Sequence, residues 1–320
     1  MQPLGTLTKL TLFLALLTTL AVSQTSPFGR PLGLNGMART SGQGATSHAQ
    51  TGIGSKPFTL IDYPGGIALQ YPWGINDKGT IVGLATLPDG TVVGYQLQKK
   101  AFKDIIYPGA ALTGAYTLNK TGLIVGTACM DLNCVENHGF TLKGKNFTTL
   151  DYPGAIYTNP DGVTNSGDIA GYYENPDLTL HGFFLHKGIY TSFDPPGSGE
   201  TVVNGMNNQS AIVGWFLKPD NSSSGFILQN GAFTQVDYPG AISTDLTGIN
   251  DAGDIIGMYN LADDANTHGF LLSGGVFTSF DVPFLGSIFT FPNGINNKHQ
   301  IVGAYGSNPP DFLFGFMTTY

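Results

Sequence analysis

Short runs of alternating apolar and polar residues follow one another along most of the chain, and clusters of Gly, Asn, Asp and Pro separate them. No segment after Ile53 keeps apolar side chains at the 3.6-residue period of an amphipathic helix. The pattern therefore predicts many short antiparallel strands joined by tight turns, and almost no helix. A chain of 320 residues with 45 glycines and only 11% charged residues has the composition of such a structure.

A turn of the form Asp-Tyr-Pro-Gly recurs six times and divides the chain into repeats. Each turn is followed by an Asn- and Gly-rich turn, a strand resembling Ile-Val-Gly and a strand that begins with Gly and an aromatic or apolar residue. The repeat is about 44 residues long, which is the range of a four-stranded propeller blade. The first residue of each recurring turn is Asp62, Ile106, Asp151, Asp194, Asp237 or Asp281.

The fifth repeat shows how four strands fit the pattern. Its predicted strands a to d cover about 244–249, 254–259, 268–272 and 276–280. The sixth repeat stops after its third strand at Tyr320, and a matching fourth strand stands at the other terminus, in Phe58–Ile61. We therefore predict an all-β fold, a six-bladed β-propeller of four-stranded antiparallel blades, whose ring is closed by this N-terminal strand.

The N-terminal region differs from the repeats. Residues 1–23 are predicted to be a signal peptide, because Lys9 precedes the apolar run Leu10–Val22 and a small-residue cleavage pattern ends at Ser23. This run is too short to span a bilayer comfortably, and no later stretch is apolar enough, so no membrane span is predicted. Residues 24–56, rich in Gly, Ser and Thr, are expected to be a flexible leader. The remaining residues, 57–320, form the propeller, and we expect a secreted, extracellular monomer.

Two stretches of the fifth repeat, "GINDAGDIIGMY" and "THGFLL", resemble the HAF family of extracellular repeats. The family signature, His-x-Phe, occurs here at His138, His181 and His268. The resemblance covers about Phe58 to Tyr320. It implies a secreted bacterial protein, and it implies no activity because the family has no established one.

The two rims of the predicted ring differ in loop length and charge. The spacing across the a–b turn is seven residues in every repeat, whereas the b–c and d–a spacings vary. Most acidic residues fall in the variable connections, and the net charge is −8. This acidic rim argues against a nucleic-acid partner and favours cations, basic proteins or hydroxyl-rich ligands. Calcium is the cofactor that such a rim could hold, and no other cofactor and no defined metal site is predicted.

One polar residue opens the innermost strand of each repeat, six positions before the a–b turn. If strand a lines the axis, these side chains could converge at the channel mouth and bind a ligand; alternatively, Thr simply suits a half-buried strand. The candidate ligand-binding residues are Gln70, Thr113, Thr158, Thr201, Thr244 and Thr290.

Three further observations concern chemistry. Asp161 and Asp245 are acids on inner strands that break the repeat pattern, which makes them the candidate catalytic residues. Cys129 and Cys134 share one b–c loop, and in an exported protein we expect them to form a disulfide. The recurring Asp is expected to cap its own turn, and the recurring His to have a structural hydrogen-bonding role.

The sequence leaves two functions open. The first is a non-enzymatic secreted protein that binds an extracellular carbohydrate polymer or an envelope protein partner through the variable acidic rim. The alternative is a six-bladed propeller hydrolase or lyase that acts on glycans or lactones. The close repetition favours the first.

Overall fold

The computed structural model describes residues 53, 56–67, 69–132, 134–284, 287–306 and 313–320. The predicted signal peptide and most of the predicted leader lie outside these residues. The described part of the chain contains strands and no α-helix. The strands are β1(Thr59–Ile61), β2(Gln70–Ile75), β3(Ile81–Thr86), β4(Val92–Gln98), β5(Ala101–Ile105), β6(Leu112–Leu118), β7(Leu123–Cys129), β8(Asn137–Lys143), β9(Asn146–Leu150), β10(Tyr157–Val163), β11(Ile169–Glu174), β12(Leu180–His186), β13(Ile189–Phe193), β14(Glu200–Met206), β15(Ile212–Leu217), β16(Ser223–Gln229), β17(Ala232–Val236), β18(Ser243–Ile249), β19(Ile255–Asn260), β20(His268–Ser273), β21(Val276–Phe280), β22(Phe289–Ile295), β23(Gln300–Gly306) and β24(Leu313–Thr319).

Successive strands pair antiparallel, so that each repeat is a meander, and the sheets together form an all-β propeller. The fifth repeat agrees with its predicted strands to within one residue at each end. The expectation of six separate four-stranded sheets is wrong: the described strands form four such sheets and one sheet of eight strands. The eight-stranded sheet arises because Val92 of β4 pairs in parallel with Leu112 of β6, at that single position.

The N-terminal strand β1 pairs with β24, the last strand of the chain, and Leu60 lies opposite Phe316. Their sheet has the order β1-β24-β23-β22, so its fourth strand comes from the other end of the chain. The outer edge of β24 is thereby covered instead of being left open for pairing with another chain.

The core consists of apolar side chains packed between neighbouring sheets. Its centre in each repeat is one aromatic ring that directly follows the glycine of the third strand, and each of these rings is at most 1% exposed. Truncating such a buried ring to Ala typically costs about 3–5 kcal/mol. The rings belong to Tyr95, Phe140, Phe183, Phe226, Phe270 and Phe316.

The first strand of every repeat carries a β-bulge at the same place, two residues before its last residue. A bulge bends its strand and re-aims the side chain of the extra residue. The bulge residues are Trp73, Tyr116, Asp161, Asn204, Thr247 and Asn293.

Side-chain amides of the a–b turns connect neighbouring repeats. Asn296 Nδ2 donates to the Asn76 carbonyl at 2.9 Å and so joins the last repeat to the first. The same bond recurs around the axis except at Thr164, which has no side-chain amide. At this position, the backbone N–H of Asn165 donates to Asn208 Oδ1 at 2.7 Å.

Candidate binding site in the axial channel

The first strands of the repeats surround an axial channel that contains two cavities, of about 100 and about 170 Å³. The smaller cavity is lined by the a–b turns and the adjoining ends of the inner strands, and the larger one by the opposite halves of the inner strands together with residues of the second strands. The six bulge residues line both cavities. The bulges therefore form a belt around the middle of the channel, and their side chains decide what the channel can bind.

Six aromatic side chains line the larger cavity. The rings of Tyr71 and Trp73 lie 4.8 Å apart, and those of Trp73 and Tyr116 lie 4.9 Å apart. Tyr157 and Tyr172 stack with 6.1 Å between their ring centres. The other tryptophan of the chain, Trp215, also lines this cavity, so both tryptophans do. All of these rings except that of Trp73 are buried.

Asp161 is the one acidic residue of the belt, and it is only 5% exposed. Its Oδ2 accepts a hydrogen bond from Asn159 Nδ2. Its Oδ1 is buried and has no hydrogen-bond partner among the described residues. Burial raises the pKa of the Asp161 carboxyl well above its usual range, against the smaller opposing effect of the bond from Asn159.

Three other belt residues donate hydrogen bonds to the next repeat, and Asp161 differs from them in this respect. Asn204 Nδ2 donates to the Leu246 carbonyl at 2.8 Å, and Asn293 Nδ2 donates to the Pro72 carbonyl at 3.1 Å. Thr247 Oγ1 makes the same kind of bond to the next repeat. The Asp161 carboxyl makes no such bond to the next repeat: its Oδ2 accepts from Asn159, and its Oδ1 has no partner among the described residues.

Asp245, on β18, is 1% exposed and lines the same cavity as Asp161. Its Oδ1 accepts a hydrogen bond from Ser223 Oγ at 2.7 Å. The structure thus brings the two candidate catalytic residues to one cavity, and it surrounds them with different partners.

The six candidate ligand-binding residues are all buried, but the geometry expected for them is not the one observed. Thr158 Oγ1 accepts a hydrogen bond from the Tyr152 amide at 2.9 Å, six residues earlier in the recurring turn. The equivalent oxygens of Gln70, Thr113, Thr244 and Thr290 also accept from an amide of the preceding connection, whereas Thr201 bonds Ser198. These side chains hold the d–a connections, and only Thr113 among them also lines the larger cavity. Ligand binding by them stays a prediction.

Cys129 and Cys134 are joined by a disulfide, with 4.8 Å between their Cα atoms. Both are buried and pack in one apolar cluster with Tyr71, Leu112 and Tyr116. Both also line the larger cavity. The disulfide therefore stiffens the b–c loop, as the sequence predicts, and it also forms part of the cavity wall.

The recurring His and Asp pair with each other near the outer strands. His138 Nδ1 lies 2.8 Å from Asp151 Oδ2, and the same pair occurs at His181 with Asp194. His268 contacts Asp281 at 2.9 Å and, through Nε2, Asp264 at 3.0 Å. The expected capping of the turn by its own Asp is thus replaced by a bond to His in these three repeats.

The pKa of His268 is raised above its usual value. Burial acts to lower it, but the hydrogen bonds and negative charges of Asp281 and Asp264 outweigh burial.

Acids of the variable rim are partly used to fix their own loops. Asp89 Oδ1 accepts from the Thr91 amide, and Asp177 and Asp220 accept in the same way from Thr179 and Ser222. These bonds lower the pKa of each of the three carboxyls.

In the described part of the chain, no three His, Cys, Asp or Glu side chains are grouped so as to hold a metal ion. None of the described residues forms a helix long and apolar enough to cross a membrane.

Sequence reasoning singled out Asp161 but missed the rest of the belt. The signal was present: the belt residue stands three positions before the a–b turn in each repeat. Around it the repeats resemble one another, yet this position holds Trp, Tyr, Asp, Asn, Thr and Asn in turn. Divergence at one position in similar repeats is the pattern expected of an asymmetric site on a symmetric scaffold.

No protein-family model matches the chain, and no curated protein matches it significantly. Solved structures share its fold at low identity. A mutant of AofleA from Arthrobotrys oligospora has a TM-score of 0.52 at 14% identity, over 83% of this chain and 87% of that chain. An Aleuria aurantia lectin mutant in complex with Fucα1-6GlcNAc has a TM-score of 0.50 at 11% identity, over 82% and 93%. The Hadza microbial sialidase Hz136 has a TM-score of 0.52 at 8% identity, over 80% and 66%. These similarities concern the propeller fold alone.

Proposed function

We propose that this protein is a non-enzymatic, carbohydrate-binding propeller, and that one sugar ring enters the larger axial cavity. The aromatic wall supports this proposal, because flat apolar rings cover the C–H faces of a sugar while nearby polar groups take its hydroxyls. The lectin among the proteins of similar fold is consistent with it. The variable rim would then contact the rest of the glycan chain.

One observation carries the proposal: the buried Oδ1 of Asp161 lacks a hydrogen-bond donor among the described residues. Leaving a buried polar atom unpaired costs about 1–3 kcal/mol, and more for a charged group. Such an atom on a cavity wall is explained if a ligand supplies the missing hydrogen. A sugar hydroxyl or amine can do so.

The size of the cavity limits the ligand. The volume is about 170 Å³. Cavities of about 150 Å³ accept a single six-membered ring such as benzene, and drug-sized ligands need about 300–1,000 Å³. The cavity therefore suits one monosaccharide unit at a time, with the rest of an oligosaccharide outside.

Tryptophan fluorescence tests the proposal directly, because both tryptophans of the chain line this cavity. We expect a saturable change on titration with the sugars that a glycan array identifies, run with calcium and with a chelator so that an ion held by the acidic rim would be detected. The change should weaken at least tenfold in Trp73→Ala. Binding that survives this substitution unaltered would place the sugar on the rim and refute the channel site.

A second candidate function, a glycan or lactone hydrolase or lyase, is favoured by the presence of Asp161 and Asp245 in one cavity. Glycosidases use two carboxyls in different environments, one as the acid and one as the base or nucleophile. Release of product from chromogenic glycosides, abolished separately by Asp161→Asn and Asp245→Asn, would establish this function. Binding without turnover would exclude it for the sugars tested.

We also propose that the molecule works as a closed ring of six blades, in which the eight-stranded sheet contributes two. The single residue pair that joins its halves supports this, as do the bonds between the last and first repeats. Deleting the strand Thr59–Ile61 should then lower the melting temperature and promote association through the open edge. A deletion variant that stays monomeric and equally stable would contradict closure.

Secretion and membership of the HAF repeat family remain our proposals for its biological setting. N-terminal sequencing of protein recovered from the medium of a bacterial culture should begin near Gln24 if residues 1–23 are removed on export. Light scattering of the same material should give the mass of a monomer. Full-length protein retained in the cytoplasm would contradict the export signal.

A further inference from the structure

The ionisable side chains that line the larger cavity restrict the chemical class of its ligand further. This inference rests on the proposed function. Two carboxyl groups line the cavity, those of Asp161 and Asp245. Lys, Arg and His are absent from the described residues of its wall. The cavity therefore offers two carboxyl groups and aromatic faces, and no basic group to an anionic ligand.

We infer that the preferred ligand is an amino sugar with a free, protonated amine, whose ammonium group lies beside Asp161 within the aromatic wall. Each part of this ligand has a counterpart in the cavity wall: the ring carbons would face the tyrosine and tryptophan rings, and the ammonium would face the Asp161 carboxyl.

Aromatic rings and a carboxyl together are the chemistry that recognises an ammonium group. A cation over the face of Trp or Tyr is attracted by the negative face of the ring, most strongly at desolvated sites. Trp73 and Tyr116 belong to the same belt as Asp161 and lie side by side. A hydrogen bond between charged partners is stronger than one between neutral partners.

The ammonium group also accounts for the unpaired oxygen. An N–H of the ligand would donate to Asp161 Oδ1, which the described part of the chain leaves without a donor. Because burial raises the pKa of this carboxyl, its charged form is unfavourable in the empty channel. A cation beside the carboxyl supplies the compensating charge.

Acidic sugars are excluded by the same reasoning. The carboxylate of a uronic or sialic acid would be buried beside two carboxyl groups with no basic partner on the described wall. An unpaired buried charge costs far more than the aromatic contacts return. An N-acetylated amine is neutral and adds bulk, so it would lose the charged contact as well.

In the experiment, the purified full chain is titrated at pH 6.5 with glucosamine, N-acetylglucosamine, glucuronate or choline, and binding is followed by tryptophan fluorescence. We expect glucosamine to bind at least tenfold more tightly than N-acetylglucosamine, with no detectable binding of glucuronate. Choline, a cation without the hydroxylated ring, should bind more weakly than glucosamine. The preference for the free amine should fall to about twofold or less in Asp161→Asn, a variant of nearly the same shape.

The exposed residue Asp104, on the outer strand β5, provides the matched control, since Asp104→Asn also removes one carboxylate but lies outside the cavity wall. It should leave all four affinities unchanged. Asp245→Asn is the second cavity variant, and circular dichroism of each variant confirms folding before titration.

The outcomes separate the two proposals. Equal binding of glucosamine and N-acetylglucosamine overturns the inference while carbohydrate binding stands. If choline binds as tightly as glucosamine, the inference that the ligand is a sugar is overturned, although the cavity still binds a cation. A preference for the amine that persists in Asp161→Asn overturns the role of this carboxyl. Absence of binding by every sugar in the cavity overturns both proposals together.

Discussion

Replacing Asp161 with Asn should stabilise the protein while impairing the proposed binding site. At the equivalent belt positions, Asn204 and Asn293 each donate a hydrogen bond to a backbone carbonyl of the next repeat. The carbonyl in the corresponding place for residue 161 is that of Val203, four residues before the following a–b turn. Asn at position 161 can donate to that carbonyl and still accept from Asn159.

The size of the effect follows from the two changes. A new intramolecular hydrogen bond contributes about 0.5–1.5 kcal/mol, and removing an unpaired buried acceptor gains about 1–3 kcal/mol. Part of this gain is offset by the lost bond between Asn159 and a charged group, so we expect a net stabilisation of about 2 kcal/mol at neutral pH. For a protein of this size, that corresponds to an increase in melting temperature of about 3–4 °C.

The gain should depend on pH in a defined direction. The pKa of Asp161 is raised in the folded protein, so folding favours its protonated form. The stability that this group contributes is complete below its unfolded pKa of about 3.9 and is lost as pH rises through the folded pKa. Asn does not titrate. The advantage of Asp161→Asn over the original protein should therefore grow as pH rises.

Urea unfolding at pH 4.5 and pH 8, followed by circular dichroism, measures both the gain and its pH dependence. Asp245→Asn is the control: it weakens the bond from Ser223, lies outside the belt, and should destabilise by about 1 kcal/mol. A less stable Asp161→Asn at pH 8, or a gain that is the same at both pH values, would refute the assignment of Asp161 as a buried acid without a donor.

Three further predictions concern packing, titration and the disulfide. Gly294→Ala should destabilise by about 1–3 kcal/mol in thermal unfolding, because its Cβ would lie 2.7 Å from the Trp73 carbonyl oxygen. Gly199→Ala, where the nearest atom is 3.7 Å away, should change stability little. The pKa of His268 is raised, so this residue should contribute stability below its unfolded pKa, and that stability should be lost as pH rises through its folded pKa. His268→Gln should therefore flatten the pH profile of the melting temperature. The comparison is made in an Asp161→Asn background, in which residue 161 does not titrate. Replacing both cysteines by Ser should cost about 2 kcal/mol and weaken sugar binding in the tryptophan titration, since the disulfide forms part of the wall.

The architecture was accessible from the sequence because its determinants are local. Turn residues such as Gly253, at φ 84°, and the aromatic residue after each third-strand glycine repeat with a fixed period. Periodic turns and alternating strands define a meander without reference to distant residues. The match between Phe58–Ile61 and the fourth strands of the repeats also led to the pairing of β1 with β24.

The joining of two repeats into one sheet was not accessible, because it depends on a single contact between Val92 and Leu112. The spacing of residues in the sequence does not reveal a pairing of single residues between strands that belong to different repeats. The two aspartates at the cavity were accessible as exceptions to the repeat, but their shared cavity and different partners required the tertiary structure.

The direction in which each side chain faces was decided only by the tertiary structure. Thr158 and its equivalents were expected at the channel mouth, but a hydroxyl can equally accept from the connection behind it, as Thr158 does from the Tyr152 amide. The bulges decide the rest: one extra residue shifts the alternation of the strand and turns Trp73, Asp161 and Asn293 toward the axis. The sequence alone thus determined the repeating strands and turns, because these depend on neighbouring residues. The lining of the channel depends on register across strands, and only the tertiary structure sets that register.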